Sequence, residues 1–130
     1  MNKIILSLLV LTVSLFATLT REYPTQKLLD SKIPIVDIRT PPEWAETGIV
    51  KGAITIMFFN ERGGYDVQGF LKELNAKVDT TKPFALICRT GSRTKLVSEF
   101  LSSELGYKVI DLKGGMMYLQ GMRLPTVPYK

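Results

Sequence analysis

The chain has 130 residues, enough for one ordinary domain and too few for two. It contains one Cys and no His, which excludes a Ser-His-Asp triad, a Cys-His dyad, His-ligated zinc, internal disulfides and C-x-x-C redox chemistry. The 17 Lys+Arg against 12 Asp+Glu leave +5 with no dense basic run, and 45% of the residues are apolar; a globular chain with no nucleic-acid partner is expected.

Met1 to Thr20 reads as a secretory signal peptide. Lys3 is its early charge, Ile4–Phe16 its apolar middle, and Ala17, Thr18 and Thr20 its small-residue end. The apolar run is short for a membrane span, which needs about 20 residues; retention as an uncleaved anchor is the alternative, and the only membrane contact expected. A cut after Ala17 leaves Leu15 three positions back, whereas a cut after Thr20 leaves Thr18 there. Export places the protein in a bacterial periplasm or outside the cell. The domain then runs from residue 21 to 130.

Thr25–Ser31 predicts a short helix with Leu28 and Leu29 buried. Pro34–Ile38 reads as a buried strand. Thr40-Pro41-Pro42-Glu43 reads as a helix start with Thr40 as N-cap, Pro41 at the first turn and Glu43 closing a capping box; Trp44 packs inward and Gly48 stops the helix. Ala53–Ile56 is a second strand, and Asn60–Gln68 a polar loop. Phe70–Val78 is helical, and Phe84–Ile87 a third strand. Thr94–Leu105 is the clearest helix, with Leu96, Val97, Phe100, Leu101 and Leu105 on one stripe and Gly106 at its end. Val109–Leu112 is a fourth strand, and Met116–Gln120 a last short helix. Strands separated by helices predict one α/β domain, a mostly parallel sheet with helices on both faces.

In such sheets ligands bind beyond the carboxyl ends of the strands. The sole cysteine, Cys88, directly follows Phe84–Ile87, and Arg89-Thr90-Gly91-Ser92-Arg93-Thr94 leads from it into the long helix. A Gly-containing loop can turn backbone N–H groups toward an anion. The helix presents its positive end there. Arg89 and Arg93 add charge, and Thr90, Ser92 and Thr94 add hydroxyl donors. Together these favour S⁻ over SH, so Cys88 is expected to be a nucleophile activated by the loop itself, with no neighbouring base. A lone Cys ending an apolar strand is otherwise a small buried hydrophobe; the two flanking arginines argue against that here.

Ile35-Val36-Asp37-Ile38-Arg39, Pro42-Glu43-Trp44 and Gly48–Ile54 resemble the opening half of a rhodanese domain. Cys88–Thr94 resembles its active-site loop, C-x-x-G-x-R, and Leu112–Met116 its closing segment. The resemblance spans roughly residues 25–125. It departs from the family pattern at Ile49, where a His is frequent, at Tyr118, where a Trp is common, and at Leu124, where a Gly is usual. It implies the rhodanese-like fold and sulfur transfer. Thiolate Cys88 would take the outer sulfur of thiosulfate or a polysulfide as a persulfide and pass it to a thiol, or to cyanide in an assay. The amides of Arg89–Arg93 would cradle that sulfur. Arg93 and Arg89 would hold the donor's anionic end. Asp37 and Arg39 would brace the region in a supporting role, an exposed or structural ion pair being as much expected of them as direct substrate contact. No cofactor and no metal is implied. The rivals are a periplasmic sulfur carrier with little turnover and a Cys-based phosphatase or arsenate reductase. The phosphatase loop has five residues between Cys and Arg; here four lie between Cys88 and Arg93.

Overall fold

Short buried runs such as Ile35–Asp37 and Phe84–Ile87, with the polar strand Leu19–Glu22 added at one edge, give a five-stranded sheet in the computed structural model, which describes residues 19–130. In chain order the elements are β1 (Leu19–Glu22), α1 (Gln26–Asp30), β2 (Ile35–Asp37), α2 (Pro41–Thr47), β3 (Ile54–Thr55), α3 (Val67–Lys77), β4 (Phe84–Ile87), α4 (Ser92–Leu105), β5 (Val109–Leu112) and α5 (Gly115–Gly121). All strand pairs are parallel and the order is β1-β5-β4-β2-β3. The expected α/β architecture holds.

Alternation along each strand sends side chains to two separate cores. Val36, Ile38, Phe84, Leu86, Cys88 and Val109 pack with Phe70 and Leu74 of α3 and with Val97 and Leu101 of α4. Ile35, Ala85, Ile87 and Leu112 pack on the other face with Leu28 of α1 and with Met116 and Leu119 of α5. Burial on both faces explains why β4 is apolar at every position.

The order also fixes where a site can form. From β2 the chain moves outward to the edge strand β3; from β4 it moves the other way, to β5. The neighbours β2 and β4 therefore have connections that diverge, and a crevice opens beyond their carboxyl ends. Register places Asp37 opposite Ile87, so Arg39 and Cys88 emerge together there.

Four expectations need correction. Leu19 and Thr20, read as leader, form the first half of β1, and Leu19 pairs with Val109. Arg21 ties this strand down by ion pairs to Asp111 at 3.2 Å and Glu99 at 2.8 Å. The rest of the leader lies outside the described residues, and among those described no helix is long and apolar enough to cross a membrane. The helix expected from Phe70 begins at Val67, because the Asp66 side chain caps it by accepting from Gly69 N–H. Helix α4 starts at Ser92, so Ser92, Arg93 and Thr94 are its first turn and not loop. Its apolar stripe is also turned. Leu96 is 61% exposed and Leu105 39%, while Thr94, Val97, Ser98 and Leu101 face inward.

Candidate active site

Everything at the crevice hangs on the turn from β4 into α4. Cys88 ends the strand with no exposed surface. Gly91 then adopts φ +98°, a left-handed conformation that glycine takes at no steric cost, and becomes the N-cap of α4. That reversal brings Gly91 N–H back to the cysteine, where it donates to Sγ at 3.2 Å. Thr94, buried in the first turn of α4, lies 3.6 Å from Sγ through its hydroxyl. It accepts from the thiol while donating to Gly91 O at 3.2 Å. Rotating this hydroxyl onto sulfur would turn an acceptor into a donor, so Thr94 can serve both the thiol and the thiolate. The N–H groups of Ser92, Arg93 and Thr94 are first-turn donors with no intrahelical acceptor, at the positive end of a 14-residue helix.

Of the three hydroxyls expected around sulfur, only that of Thr94 reaches it. Thr90 and Ser92 are exposed and lie 3.4 Å from each other. The arginines divide as well. Arg93 meets Glu43 of α2 in a two-pronged pair, Nη1 to Oε1 at 2.7 Å and Nη2 to Oε2 at 2.8 Å. The Arg93 guanidinium holds the Glu43 carboxyl down at about 2, against some opposition from partial burial. In return Glu43 raises the pKa of Arg93, and Cys88 and Asp37 add to that smaller charge effect. Arg89 instead lies exposed at the mouth of the crevice, without an ion-pair partner among the described residues.

Asp37 and Arg39 form a brace. Both are buried, at 0% and 1% exposure. Arg39 Nη2 donates to Asp37 Oδ2 at 2.8 Å and to Gly48 O at 2.8 Å; Nη1 donates to Thr47 Oγ1 at 2.6 Å. Trp44 Nε1 donates to Asp37 Oδ1 at 3.1 Å. Every strong donor is taken, so the pair locks the end of β2 to the C-terminal part of α2 and its Gly48 cap.

Helix α5 closes the site from the far side. Met116 N donates to Cys88 O at 2.9 Å and Met117 N to Arg89 O at 3.0 Å. This close approach requires glycine: a Cβ on Gly115, whose φ is +58°, would lie 2.5 Å from Cys88 O. Beside the loop, α2 and α5 enclose a cleft of about 360 Å³ whose walls include Thr47, Glu46, Arg89, Met116, Met117 and Gln120. Sequence reasoning placed Glu43 only as a capping residue, a role it also fills by accepting from Thr40 N–H at 3.3 Å. Its position at the helix start beyond β2, on the sheet edge that carries Cys88, was the available signal. The cleft walls from α5 had no comparable signal.

The family model for the rhodanese-like domain matches residues 22–121. The chain is 30% identical over 96 residues to a Bacillus subtilis protein named "Putative sulfurtransferase YtwF", covering 74% of this chain and 82% of that protein. It resembles the crystal structure of a rhodanese-like domain protein from Staphylococcus aureus with a TM-score of 0.56 and 27% identity, covering 75% of this chain and 89% of that one. Rv0390 from M. tuberculosis shares the fold, with a TM-score of 0.60 at 19% identity over 74% of this chain and 79% of its own.

Proposed function

The chain belongs to the rhodanese-like domain family, and from that premise we propose that it is a sulfurtransferase working through a persulfide on Cys88. The Cys88 thiolate attacks the outer sulfur of thiosulfate. An S–S bond forms on Cys88, the sulfur–sulfur bond of the donor breaks, and sulfite leaves with that bonding pair. A thiolate or cyanide then attacks the outer sulfur of Cys88–S–S⁻ and returns Cys88 as thiolate. Two half-reactions sharing one covalent intermediate predict ping-pong kinetics.

The observation that carries this reading is the Gly91 N–H donating to Sγ at 3.2 Å inside a loop that opens into α4. A peptide donor and a helix N-terminus stabilise negative sulfur without any imidazole. The geometry favours Arg89 over Arg93 as the anchor for the donor's anionic end, because the fork of Arg93 is filled by Glu43. The four-residue spacing between Cys88 and Arg93 speaks against a phosphatase.

Incubation with thiosulfate followed by intact mass measurement tests the proposal. The protein should gain one sulfur atom, lose it on adding cyanide, and turn over. Cys88→Ser should do none of these. Unchanged mass in folded protein, or turnover by Cys88→Ser, overturns it. The complete burial of Cys88 favours one second reading, a sulfur carrier that shields its persulfide; a stable adduct with negligible turnover would support that instead.

Export to the periplasm or beyond belongs to the same proposal and rests on residues 1–20 alone. Because Leu19 and Thr20 pair in β1, a cut after Ala17 would leave that strand whole, and one after Thr20 would halve it. N-terminal sequencing of the fractionated protein checks both points.

A further inference from the structure

The charges around the crevice cancel almost completely. Arg39 is neutralised by Asp37 and Arg93 by Glu43. Two formal charges on the walls of the adjoining cleft remain without a partner among the described residues: the guanidinium of Arg89 and the carboxylate of Glu46. Glu43, Glu46 and Thr47 lie three and four residues apart, and so share one face of α2. Arg89 comes from the loop. Met116 and Met117 come from the first turn of α5, whose amides are bonded to the carbonyls of Cys88 and Arg89. One wall of the cleft is thus fastened to the backbone of the nucleophile.

A small dianion such as thiosulfate makes no use of Glu46, of the exposed Met117 thioether or of a volume of about 360 Å³. We propose that this cleft is the acceptor subsite for a low-molecular-weight thiol of amino-acid type, which carries one ammonium, one carboxylate and a short carbon skeleton. The ammonium pairs with Glu46, the carboxylate with Arg89, and the exposed Met117 side chain covers the skeleton. Its thiolate attacks the outer sulfur of the Cys88 persulfide; the new bond is to the acceptor's sulfur, and Cys88 departs as thiolate. Arg89 can serve the donor in the first half-reaction and the acceptor in the second, because ping-pong order empties the site between them. The role of the ligand's sulfur rests on the sulfurtransferase reading; the charge pattern of the subsite does not.

Binding of unreactive thioethers to the full chain separates the two. Titration with S-methylcysteine should show binding about tenfold tighter than 3-(methylthio)propionate, which lacks the ammonium, and than 2-(methylthio)ethylamine, which lacks the carboxylate. Glu46→Gln should erase the advantage over the first, and Arg89→Gln the advantage over the second. Equal binding of all three, no binding, or an advantage that survives both substitutions overturns the subsite. Sulfur loading followed by mass in the same preparations reports on the chemistry independently. A protein that loads sulfur but ignores the ammonium loses the subsite alone. A protein that prefers S-methylcysteine but never loads sulfur keeps the subsite and loses the transferase reading.

Discussion

Two arginine–carboxylate pairs stand at the same edge of the sheet, and they are built differently. Asp37 and Arg39 are two residues apart in sequence, wholly buried, and surrounded by Trp44, Thr47 and Gly48, which take their remaining hydrogen-bonding capacity. Glu43 and Arg93 are fifty residues apart, and about a quarter of each side chain remains exposed. The first pair joins a strand to the helix that follows it. The second joins that helix to the first turn of α4, next to Cys88. Solvent access is what separates a brace from an adjustable contact: a buried ion has no water to fall back on, whereas a partly exposed one can change partners at modest cost.

The largest effect should come from breaking the buried pair. Arg39→Ala strands the Asp37 carboxylate in the interior and should cost about 3–5 kcal/mol, read as a lowered urea midpoint. A loss under about 1 kcal/mol would show that water reaches Asp37 and would erase the contrast. Next comes Glu43→Gln. Glutamine can still close the capping box, so the helix start survives while the charge is removed. Stability should fall by about 1 kcal/mol or less. The Michaelis constant for thiosulfate should drop several-fold with little change in kcat, since a freed Arg93 adds a second cation to the mouth. An unchanged Michaelis constant would mean that Arg93 stays out of reach of the donor.

Acid sharpens the same comparison. Glu43 titrates at about 2 in the folded protein instead of its ordinary 4.5. Its stabilising contribution is therefore complete above about pH 4.5 and is lost as pH falls from there toward 2. The stability difference between wild type and Glu43→Gln should be flat near neutrality and shrink across that window. A difference constant down to pH 2 would contradict the ion pair. The smallest effect belongs to the exposed Glu73–Lys77 pair on α3, 3.5 Å apart. Lys77→Ala should change stability by no more than about 0.5 kcal/mol, which gives the scale for a pair that positions nothing.

Features with a local cause were legible in the sequence. The Thr40–Glu43 helix start, the buried strand Phe84–Ile87 and the glycine stop at Gly106 each follow from a few neighbouring residues, and each stands where expected. Features set by distant partners were not. Strand β1 has one half-buried residue and three exposed ones, so it carries no alternation of its own; it exists because β5 offers an edge and because Arg21 finds Asp111 and Glu99. The outward turn of Leu96 was likewise not legible, because the face of α4 that packs inward carries Thr94, Val97, Ser98 and Leu101, with Thr94 set against Cys88 Sγ. In the site, the turn from Cys88 through Gly91 into α4 was legible because the strand end, the glycine and the helix start follow one another directly in the chain. Residue order could not show that Arg93 is committed to Glu43, because that pairing depends on how α2 leans across the crevice.

The contact of Gly115 with the carbonyls of Cys88 and Arg89 bears on how this site could be rebuilt. The ring formed by the loop is bounded on one side by α4 and on the other by a backbone that leaves no room even for a methyl group. Its circumference is therefore a joint property of two segments far apart in the chain. One inserted residue between Cys88 and Arg93 would give the loop the length needed to encircle a tetrahedral oxyanion, but it would also drive the carbonyls into the turn at Gly114-Gly115. Enlarging the ring calls for matched changes in both places, so a single insertion should damage sulfur chemistry without gaining phosphate chemistry.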